Sequence, residues 1–568
     1  YKASFNMYGG TISGNTANYG GGVYVNSSTF TMTGSACIAN NKATTGNSSS
    51  GGGVYVWTDA NFDMNGGTIS GNSGVNGGGV YVGNSARKFT MSNGTITQNT
   101  ARYGGGVWTG SSFTVSGDVK ITGNTDKDGE ANNVYLVSGN TIRIGGALTG
   151  GEASIGVTTA STIANEDYLA IARGGSKYTL KEGDLDAFTS DNNTYGKQLL
   201  GNSVVFTNGA LHIHAVCGTK DCKDSGHGNE LWQPISDETK LRAATAGHYY
   251  LTDNITLTST WEPKSGVVLC LNGKSITANG SFDAITVPKG RTFTLTDCGT
   301  TGMVTHVQSR TGCGVQVNGG TFKMYGGSIS GNTTNGSGGG VCVSEGTFTM
   351  ENGTIGGNTA YGRGGGGVYV YNGTFKMKNG TISGNSADNS KGGSGYGGGV
   401  YADGNCTFTM SGSAAISGNT AAGSYGGGVY MDDFNGQSIF TMSGNAAISG
   451  NTAKSYGGGV CVKYGTFTMN GGTISGNAAT GINGDGGGVY VASNDDTPSK
   501  FIMNGGTISG NTASDYGGGV YVYSTTVLGG TFTMNGGTIS GNNSTYGGGV
   551  YVGQNAKMTV SGGARIED

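Results

Sequence analysis

Five histidine and cysteine side chains that could bind a metal ion lie within sixteen residues of this chain. They are His212, His214, Cys217, Cys222 and His227, and the last three follow the spacing Cys-x4-Cys-x4-His. Zinc takes four nitrogen or sulfur ligands in a tetrahedron, and a closed set would hold a segment too short for a core of its own. The alternative is a disulfide between the two cysteines, which suits an extracellular protein. No neighbouring acid or base favours a catalytic metal.

Three aspartates form a second candidate site. When successive repeats are aligned, Asp403 and Asp432 occupy the same position, Asp433 is adjacent, and Lys463 follows one repeat later. Carboxylates on neighbouring coils would lie about 5 Å apart, which suits calcium ligation or the carboxylate pair of a retaining glycosidase. The alternative is a solvated loop with an ion pair between Asp432 and Lys463. The sequence leaves these readings open.

A column of aromatic residues forms the third candidate. In the recurring triplet Val-Tyr-Val the two valines face the core, so the middle residue faces outward. Exposed rings would bind sugars or a partner protein, whereas cross-strand ring pairs alone would stabilise the sheet. The candidate ligand-binding tyrosines are Tyr369, Tyr401, Tyr430, Tyr490, Tyr521 and Tyr551.

The remaining cysteines give a weaker signal. The chain has nine cysteines, an odd number. Cys342 and Cys461 replace the tyrosine of the recurring triplet, which favours free thiols. A disulfide among Cys270, Cys298 and Cys313 is an alternative that the sequence leaves open.

A repeat of about 26 residues supplies the elements that would position these side chains. One unit, at 501–522, reads Phe-Ile-Met, then Gly-Gly-Thr-Ile-Ser-Gly-Asn, then Gly-Gly-Gly-Val-Tyr-Val. Each element alternates apolar and polar residues, which predicts three short strands. Three strands cannot bury their apolar side alone, so successive units must stack. The sequence predicts an all-β, right-handed parallel β-helix, that is a β-solenoid, and the hand follows the general rule for parallel connections.

The asparagine of Ile-Ser-Gly-Asn lies at a turn in every coil. Its amide would bond the backbone and the same asparagine in the coils above and below. We therefore expect a structural asparagine ladder. In the second half of the chain its members are Asn332, Asn358, Asn385, Asn419, Asn451, Asn477, Asn511 and Asn542, and in the first half Asn15, Asn41, Asn72, Asn99 and Asn124.

Changes in the repeat divide the chain into four segments. Residues 1–146 form a first β-helix array and 147–211, which carry no repeat, a β-rich cap. Residues 212–235 form a Cys/His-rich connector, and 236–568 a second β-helix that begins with a short capping helix. Because both ends of the chain fall inside a repeat, we expect truncation at the start of the first array and at the end of the second.

Composition excludes several classes of protein. Glycine accounts for 117 of 568 residues but proline for only 4, which excludes collagen. Charged residues make up 11% of the chain with a net charge of −3, so nucleic acid is not an expected partner. Hydrophobic residues reach 35%, which favours a folded chain. No apolar run is long enough to span a membrane.

The pairing of Ile-Ser-Gly-Asn-Thr-Ala with Tyr-Gly-Gly-Gly-Val-Tyr, as at 508–521, resembles repeats of known surface proteins. It is similar to the repeats of chlamydial polymorphic outer-membrane proteins and more so to those of large secreted surface proteins of gut Firmicutes. The resemblance covers most of the chain. It implies a right-handed β-helix adhesin region at a bacterial cell surface.

These observations together predict an extracellular surface protein that acts as a rigid stalk or adhesin. Repeated faces would bind glycans or host or bacterial surface proteins, and weak contacts would add as avidity. No cofactor is required, although structural zinc and calcium are candidates. The alternative is a polysaccharide-active enzyme, similar to a pectate lyase or a glycosidase, acting in a groove of the β-helix.

Overall fold

The computed structural model describes residues 3–44, 49–149, 153–160, 162–163, 167–192, 195–209, 211–218, 229–433, 437–493, 498–525 and 529–567. Strands contain 51% of the residues and helices 2%, and parallel strands stack into a β-solenoid of about 20 turns. The chain divides into unit 1, Tyr1–Leu211, and unit 2, His212–Asp568. The predicted all-β parallel solenoid is confirmed.

Unit 1 is a parallel stack that ends in antiparallel strands. Parallel pairing continues past residue 146, through Ser154–Thr159 to Phe188–Ser190. Ser203–Asn208 then pairs antiparallel with Asp167–Gly174 and Gly196–Leu200. The helix is Glu182–Leu185, and the strands are Ser4–Met7, Thr11–Ser13, Thr16–Ala17, Val23–Val25, Thr29–Met32, Cys37–Ala39, Lys42–Ala43, Val54–Val56, Asn61–Ser70, Ser73–Asn76, Val80–Val82, Lys88–Thr97, Thr100–Tyr103, Val107–Thr109, Phe113–Ile121, Val134–Leu136, Ile142–Leu148, Ser154–Thr159, Asp167–Gly174, Phe188–Ser190, Gly196–Leu200 and Ser203–Asn208.

Unit 2 is a solenoid whose coils contribute to four parallel sheets, which we name by their characteristic residue. The Phe sheet contains Gln233–Ile235, Gly247–Leu251, Val267–Cys270, Thr292–Thr296, Thr321–Met324, Thr347–Met350, Thr374–Met377, Thr407–Met410, Ile439–Met442, Gly465–Met469, Ser499–Met503, Thr531–Met534 and Lys557–Val560. The Ile sheet contains Ile255–Leu257, Ser275–Ala278, Met303–His306, Ser328–Ser330, Thr354–Gly356, Thr381–Ser383, Ala415–Ser417, Ala447–Ser449, Thr473–Ser475, Thr507–Ser509, Thr538–Ser540 and Arg565–Glu567. The Val sheet contains Ile285–Pro288, Val315–Asn318, Val341–Ser344, Val368–Tyr371, Val400–Asp403, Val429–Asp432, Val460–Lys463, Val489–Ser493, Val520–Ser524 and Val550–Val552.

The fourth sheet of unit 2 was not expected from the repeat, which predicts three strands per coil. Its two-residue strands directly follow the ladder asparagine, and stretches such as Thr420–Ala421 are too short to show a period of two. We name it the short sheet, and it contains Thr333–Thr334, Thr359–Ala360, Ser386–Ala387, Thr420–Ala421, Thr452–Ala453, Ala478–Ala479 and Thr512–Ala513.

The start of unit 2 differs from its regular coils. A hairpin of strands Ile213–Ala215 and Asn229–Leu231 precedes the solenoid. The helix Glu238–Ala243 follows, and the Asp237 carboxylate caps it by accepting a hydrogen bond from the Lys240 backbone N–H at 2.9 Å. An acceptor at this position satisfies a donor that the first helical turn leaves free.

The core of each solenoid is a set of columns of identical residues. In unit 2, Phe408 pairs with Phe440 in register and Met410 with Met442. The two phenylalanine rings stack with centroids 4.5 Å apart and planes 6° apart. Each fully buried side chain of this size contributes about 2 to 3 kcal/mol of transfer free energy. The same ring contact recurs between successive coils from Phe322 to Phe532.

The asparagine ladder runs beside these columns and is confirmed. Both the backbone N–H and the side-chain Nδ2 of Asn419 donate to Asn451 Oδ1, at 3.0 and 2.9 Å. Nδ2 also donates to the carbonyl oxygen of Ile382 at 3.0 Å. A buried amide that lacked these partners would destabilise the fold, so the ladder both satisfies the side chain and sets the spacing of the coils.

The glycine triplet before each Val strand has two separate causes. Gly426 adopts φ of +65°, a conformation that favours glycine. Gly428 has no such φ, but a Cβ atom there would lie 2.6 Å from the carbonyl oxygen of Gly459 in the next coil. The first glycine of the triplet is therefore required by its backbone conformation, and the last by the close packing of neighbouring backbones.

Coil length varies at only some corners of unit 2. The path from the ladder asparagine to the Val strand takes eight residues from Asn542 to Val550 but fifteen from Asn385 to Val400. The path from isoleucine to asparagine takes three residues, as from Ile508 to Asn511. Insertions therefore leave the strands in register and lengthen the loops beside the Val sheet.

Candidate metal centre

The hairpin at the start of unit 2 carries the two histidines of the sequence-predicted metal site. His214 lies opposite Glu230 across the antiparallel pair. Trp232 follows the hairpin, and its indole Nε1 donates to the His214 carbonyl oxygen at 2.9 Å. The indole also stacks on the His214 imidazole, with centroids 4.2 Å apart. These contacts fix the orientation of His214.

The surface beneath the hairpin is the outer face of the first Phe-sheet strands. Val267 and Leu269 face the solenoid core. Because side chains alternate along a strand, Cys270 faces outward, where it packs with Trp232 and Tyr250 in a separate cluster. Tyr250 pairs with Cys270 in register. The His212 ring stacks on Tyr250 with centroids 4.0 Å and planes 9° apart. Both histidines therefore lie over Cys270.

Two histidines and two cysteines converge at this point. The ligand atoms of His212, His214, Cys270 and Cys298 all lie within 4.8 Å of one another. Cys298 Sγ is 3.3 Å from Cys270 Sγ and 3.3 Å from His212 Nε2. Within the described ranges, this is the one group of three or more His, Cys, Asp or Glu side chains with the spacing of a metal site.

The His214 imidazole has a defined tautomer. Its Nδ1 lies 2.6 Å from the carbonyl oxygen of Ala215. Because a carbonyl only accepts, Nδ1 carries the proton and Nε2 keeps a free lone pair. The residue is 2% exposed, and Nε2 has no hydrogen-bond partner among the residues that the structure describes. A buried acceptor is therefore aimed at the cluster.

The two thiols of the cluster differ in acidity. The hydrogen bond from Cys270 holds the pKa of the Cys298 thiol well below its ordinary value, and the neighbouring His212 acts in the same direction against burial. The same hydrogen bond and burial raise the pKa of the Cys270 thiol. Cys298 is thus the more acidic thiol of the pair, and the thiolate is the form of cysteine that binds metals.

The cluster in the structure differs from the candidate ligand set that the sequence predicts. His212 and His214 belong to the cluster, Cys217 does not, and Cys222 and His227 lie outside the described residues. The sulfurs come from Cys270 and Cys298, which the sequence suggested only as disulfide partners. The outward position of Cys270 in the alternating strand Val267–Cys270 was the signal that could have found it.

The tyrosine column lies where the sequence places it but is mostly buried. Tyr401 and Tyr430 pair in register on the outer face of the Val sheet. Tyr430 is 0% exposed, because the rings of Tyr396 and Tyr425 lie 5.4 and 5.2 Å from it. The expectation of an exposed platform is therefore wrong for the buried members, which are Tyr401, Tyr430, Tyr490 and Tyr521.

A second row of tyrosines, which sequence reasoning missed, provides this cover. Its members stand five residues before the first row, and the recurring sequence Tyr-Gly-Gly-Gly-Val-Tyr was the available signal. Two members of the first row, Tyr369 and Tyr551, are only half-buried. The residues of the second row that pack against the first are Tyr396, Tyr425, Tyr456 and Tyr516.

The three aspartates of the candidate calcium site have different surroundings. Asp403 and Asp432 pair in register as expected, but Asp403 Oδ2 accepts hydrogen bonds from Tyr369 at 2.6 Å and Arg363 at 3.0 Å. Asp433 Oδ2 accepts instead from the backbone N–H groups of Gln437 and Ser438, at 2.7 and 2.8 Å.

Asp403 and Asp433 thus bond to different partners, whereas Asp432 Oδ1 is buried and has no hydrogen-bond partner among the residues that the structure describes. Burial raises the pKa of Asp432, while the charge of Lys463 opposes this shift. Asp432 and Lys463 pair across the sheet in register, but Arg363 forms the ion pair at this face, with Asp403. Asp403 thus has a structural role at this face, through its bonds to Arg363 and Tyr369.

Comparisons with models of protein families, with curated proteins and with solved structures found no match to this chain. The helices among the described residues, Glu182–Leu185 and Glu238–Ala243, are far too short to cross a membrane.

Proposed function

We propose that the protein is a structural scaffold of a bacterial cell surface, a rigid β-solenoid that presents repeated loops to glycans or to other surface proteins. The observation that carries the proposal is the register of unit 2. From Thr321–Met324 to Thr531–Met534, every Phe-sheet strand pairs residue for residue with the next. An unbroken array of this kind resists bending and stretching.

The bonding pattern supports a mechanical role. Backbone hydrogen bonds and the asparagine ladder both connect each coil to the next, so they all oppose separation of coils along the stack. The stacked phenylalanines are fully buried and in contact along the interior, and packed interiors have low compressibility. Stiffness is therefore distributed over the whole array instead of residing in one element.

The candidate chemistry of the outer face also favours a scaffold over an enzyme. A glycosidase needs two carboxyl groups free to act as acid and nucleophile. Asp403 is held by Arg363 and Tyr369, and the neighbours of Asp432 include the buried Tyr401 and Tyr430. Asp403 is therefore not free to act as one of the two carboxyl groups that the enzyme alternative needs.

Stretching the full chain between two handles in an optical trap tests the mechanical part of the proposal. We expect little extension at low force, followed by discrete lengthening steps as coils detach. The variant Asn419→Ala should lower the force of these steps, whereas Asn504→Ala, in an exposed turn, should not. Gradual extension from the lowest forces, without steps, would contradict a rigid scaffold.

Display and binding need a separate experiment. Intact cells would be labelled with an antibody against the chain, and the purified chain would be screened against glycans with and without calcium. Surface labelling and binding that is insensitive to Tyr430→Ala are expected, because the Tyr430 ring is buried and cannot contact a ligand. Labelling that occurs only after cell lysis would contradict the proposed surface location. Loss of binding in Tyr430→Ala, with the fold intact, would show that the tyrosine column binds the ligand after all.

A further inference from the structure

We propose that His212, His214, Cys270 and Cys298 bind one Zn²⁺ ion, and that this ion fastens the hairpin at the start of unit 2 to the outer face of the solenoid. The site is structural, since four protein ligands would leave no open coordination position for a substrate.

The distances within the cluster suit tetrahedral zinc. Zn–S bonds of about 2.3 Å and Zn–N bonds of about 2.0 to 2.1 Å place the ligands of a tetrahedral ion roughly 3.3 to 3.8 Å apart. The observed separations of Cys298 Sγ from Cys270 Sγ and from His212 Nε2 are both 3.3 Å. All four ligand atoms lie within 4.8 Å, so small side-chain movements would complete the tetrahedron.

The ligands are oriented before any ion binds. The Ala215 carbonyl oxygen fixes the proton of His214 on Nδ1 and leaves the buried Nε2 lone pair directed at the cluster. Metal-binding histidines commonly donate their other nitrogen to a backbone carbonyl in this way. Stacking on Trp232 and Tyr250 holds the two rings in place. A bound ion would supply the partner that His214 Nε2 lacks among the described residues.

The donor types identify the class of metal. Thiolate and imidazole ligands select zinc over calcium and magnesium, which prefer oxygen ligands. Binding requires both cysteines as thiolates, so the protons that the two thiols carry would pass to solvent as the ion enters. The step involves no oxidation or reduction.

The position of the site explains what the ion would stabilise. The hairpin has two strands of three residues each, Ile213–Ala215 and Asn229–Leu231, and so short a hairpin is marginal by itself. The ion would connect it to Cys298, 86 residues away from His212 along the chain. Metal binding would thereby contribute directly to the folding free energy of this region.

Two rival arrangements lead to different outcomes. Zinc bound by Cys217, Cys222 and His227 would use the spacing seen in the sequence and would not need Cys270 or Cys298. A disulfide between Cys270 and Cys298 would remove both sulfurs as ligands. The experiment must therefore identify the ligands as well as the metal.

The first measurement uses the full chain, reduced and then loaded with zinc or cobalt and freed of excess metal. Elemental analysis should give about one zinc per chain, as expected for a single closed site. Co²⁺ should give the sulfur-to-cobalt charge-transfer band and the strong visible bands of tetrahedral coordination by two thiolates. This readout needs no variant, so it is unaffected by misfolding. Failure to retain either metal would overturn the proposal.

The second measurement assigns the ligands. Cys298→Ser and His214→Gln should each weaken zinc binding by about 100-fold or more, since even partners outside the coordination sphere contribute 10- to 100-fold. The matched controls Cys222→Ser and His227→Gln should bind zinc as the parent chain does. Loss of zinc in these controls, with retention in Cys298→Ser, would assign the ion to the rival set. A pair of peptides joined by a Cys270–Cys298 disulfide, found in a digest of the unreduced native protein, would establish the disulfide and overturn the zinc site.

Discussion

The asparagine ladders of the two units have the same interior and different ends. In unit 1 the last rung is Asn133, whose backbone N–H and Nδ2 donate to the two carboxylate oxygens of Asp191, at 2.7 and 2.8 Å. In unit 2 the first rung is Asn332, whose Oδ1 lies 2.7 Å from His306 Nδ1. One ladder ends on an acid and the other begins on a histidine.

The difference follows from the direction of the ladder. Each asparagine donates to the next coil, so the last rung needs an acceptor and the first rung has an Oδ1 that needs a donor. Asn332 Nδ2 already donates to Asn358 Oδ1, which fixes the amide orientation. His306 therefore donates from Nδ1, and its Nε2 lies 2.8 Å from the Phe282 carbonyl oxygen. Repetition builds the interior of a ladder, but residues that occur once close its ends.

The largest effect should come from removing an interior rung. In Asn419→Ala, the backbone N–H and Nδ2 of Asn385 lose their acceptor and the Ile382 carbonyl loses a donor. With about 1 to 3 kcal/mol for each buried group left unsatisfied, we expect the free energy of unfolding to fall by about 4 kcal/mol. Hydrogen exchange of peptides covering these coils, together with urea unfolding, would measure it.

Asn504→Ala is the matched control for this prediction. Asn504 is exposed and bonds only across neighbouring turns, through Asn470 Oδ1 at 2.8 Å and Asn535 Nδ2 at 2.8 Å. Its removal should cost less than about 0.5 kcal/mol. Equal losses in the two variants would show that the ladder has no special role.

An intermediate effect is expected at the closed end of unit 1. Asp191→Ala removes the acceptor of both Asn133 donors, and because this end is only partly buried we expect a loss of about 2 kcal/mol. Asp191→Asn keeps one acceptor oxygen and should lose about half as much. Faster hydrogen exchange around residue 133 would report the change. An unaltered exchange rate in Asp191→Ala would mean that the ladder needs no terminal acceptor.

Periodicity explains which parts of the molecule the sequence predicts. The ladder asparagines and the register of Asp403 with Asp432 follow from a repeat that can be counted along the chain. Asp191 and His306 occur outside the repeat, and their partners are set by stacking geometry that no local pattern encodes. The metal cluster is similar, because Cys298 meets His212 across 86 residues. The sequence predicts that the tyrosine column lies on the outer face of the Val sheet. Its burial could not be predicted, because it depends on how the second row of tyrosine rings packs against the first.

The smallest effect concerns the second tyrosine row, where Asp485 takes the place of a tyrosine between Tyr456 and Tyr516. Burial raises the pKa of Asp485 to about 6. An unfolded aspartate titrates near pH 4, so the folded chain binds the extra proton between about pH 4 and 6 and loses stability as the pH rises through that range. After allowance for solvent screening, Asp485→Asn should gain about 1 kcal/mol at pH 7.

The pH dependence is the diagnostic part of this prediction. Asp485→Asn and the parent chain should be equally stable at pH 4, where both side chains are neutral, and the gain should appear as the pH rises to 7. Urea unfolding at the two pH values would measure it. A gain of the same size at both values would point to packing and not to the charge.

The unequal corners of the coils have a consequence for how such a protein can evolve. Between Val489 and Phe501 the chain takes twelve residues, and between Val341 and Phe348 only seven, yet the strands on either side keep their pairing. A coil copied by gene duplication would inherit the whole frame at once. Its loops beside the Val sheet would then be free to diverge, one coil at a time, so that a monotonous sequence can carry a varied surface.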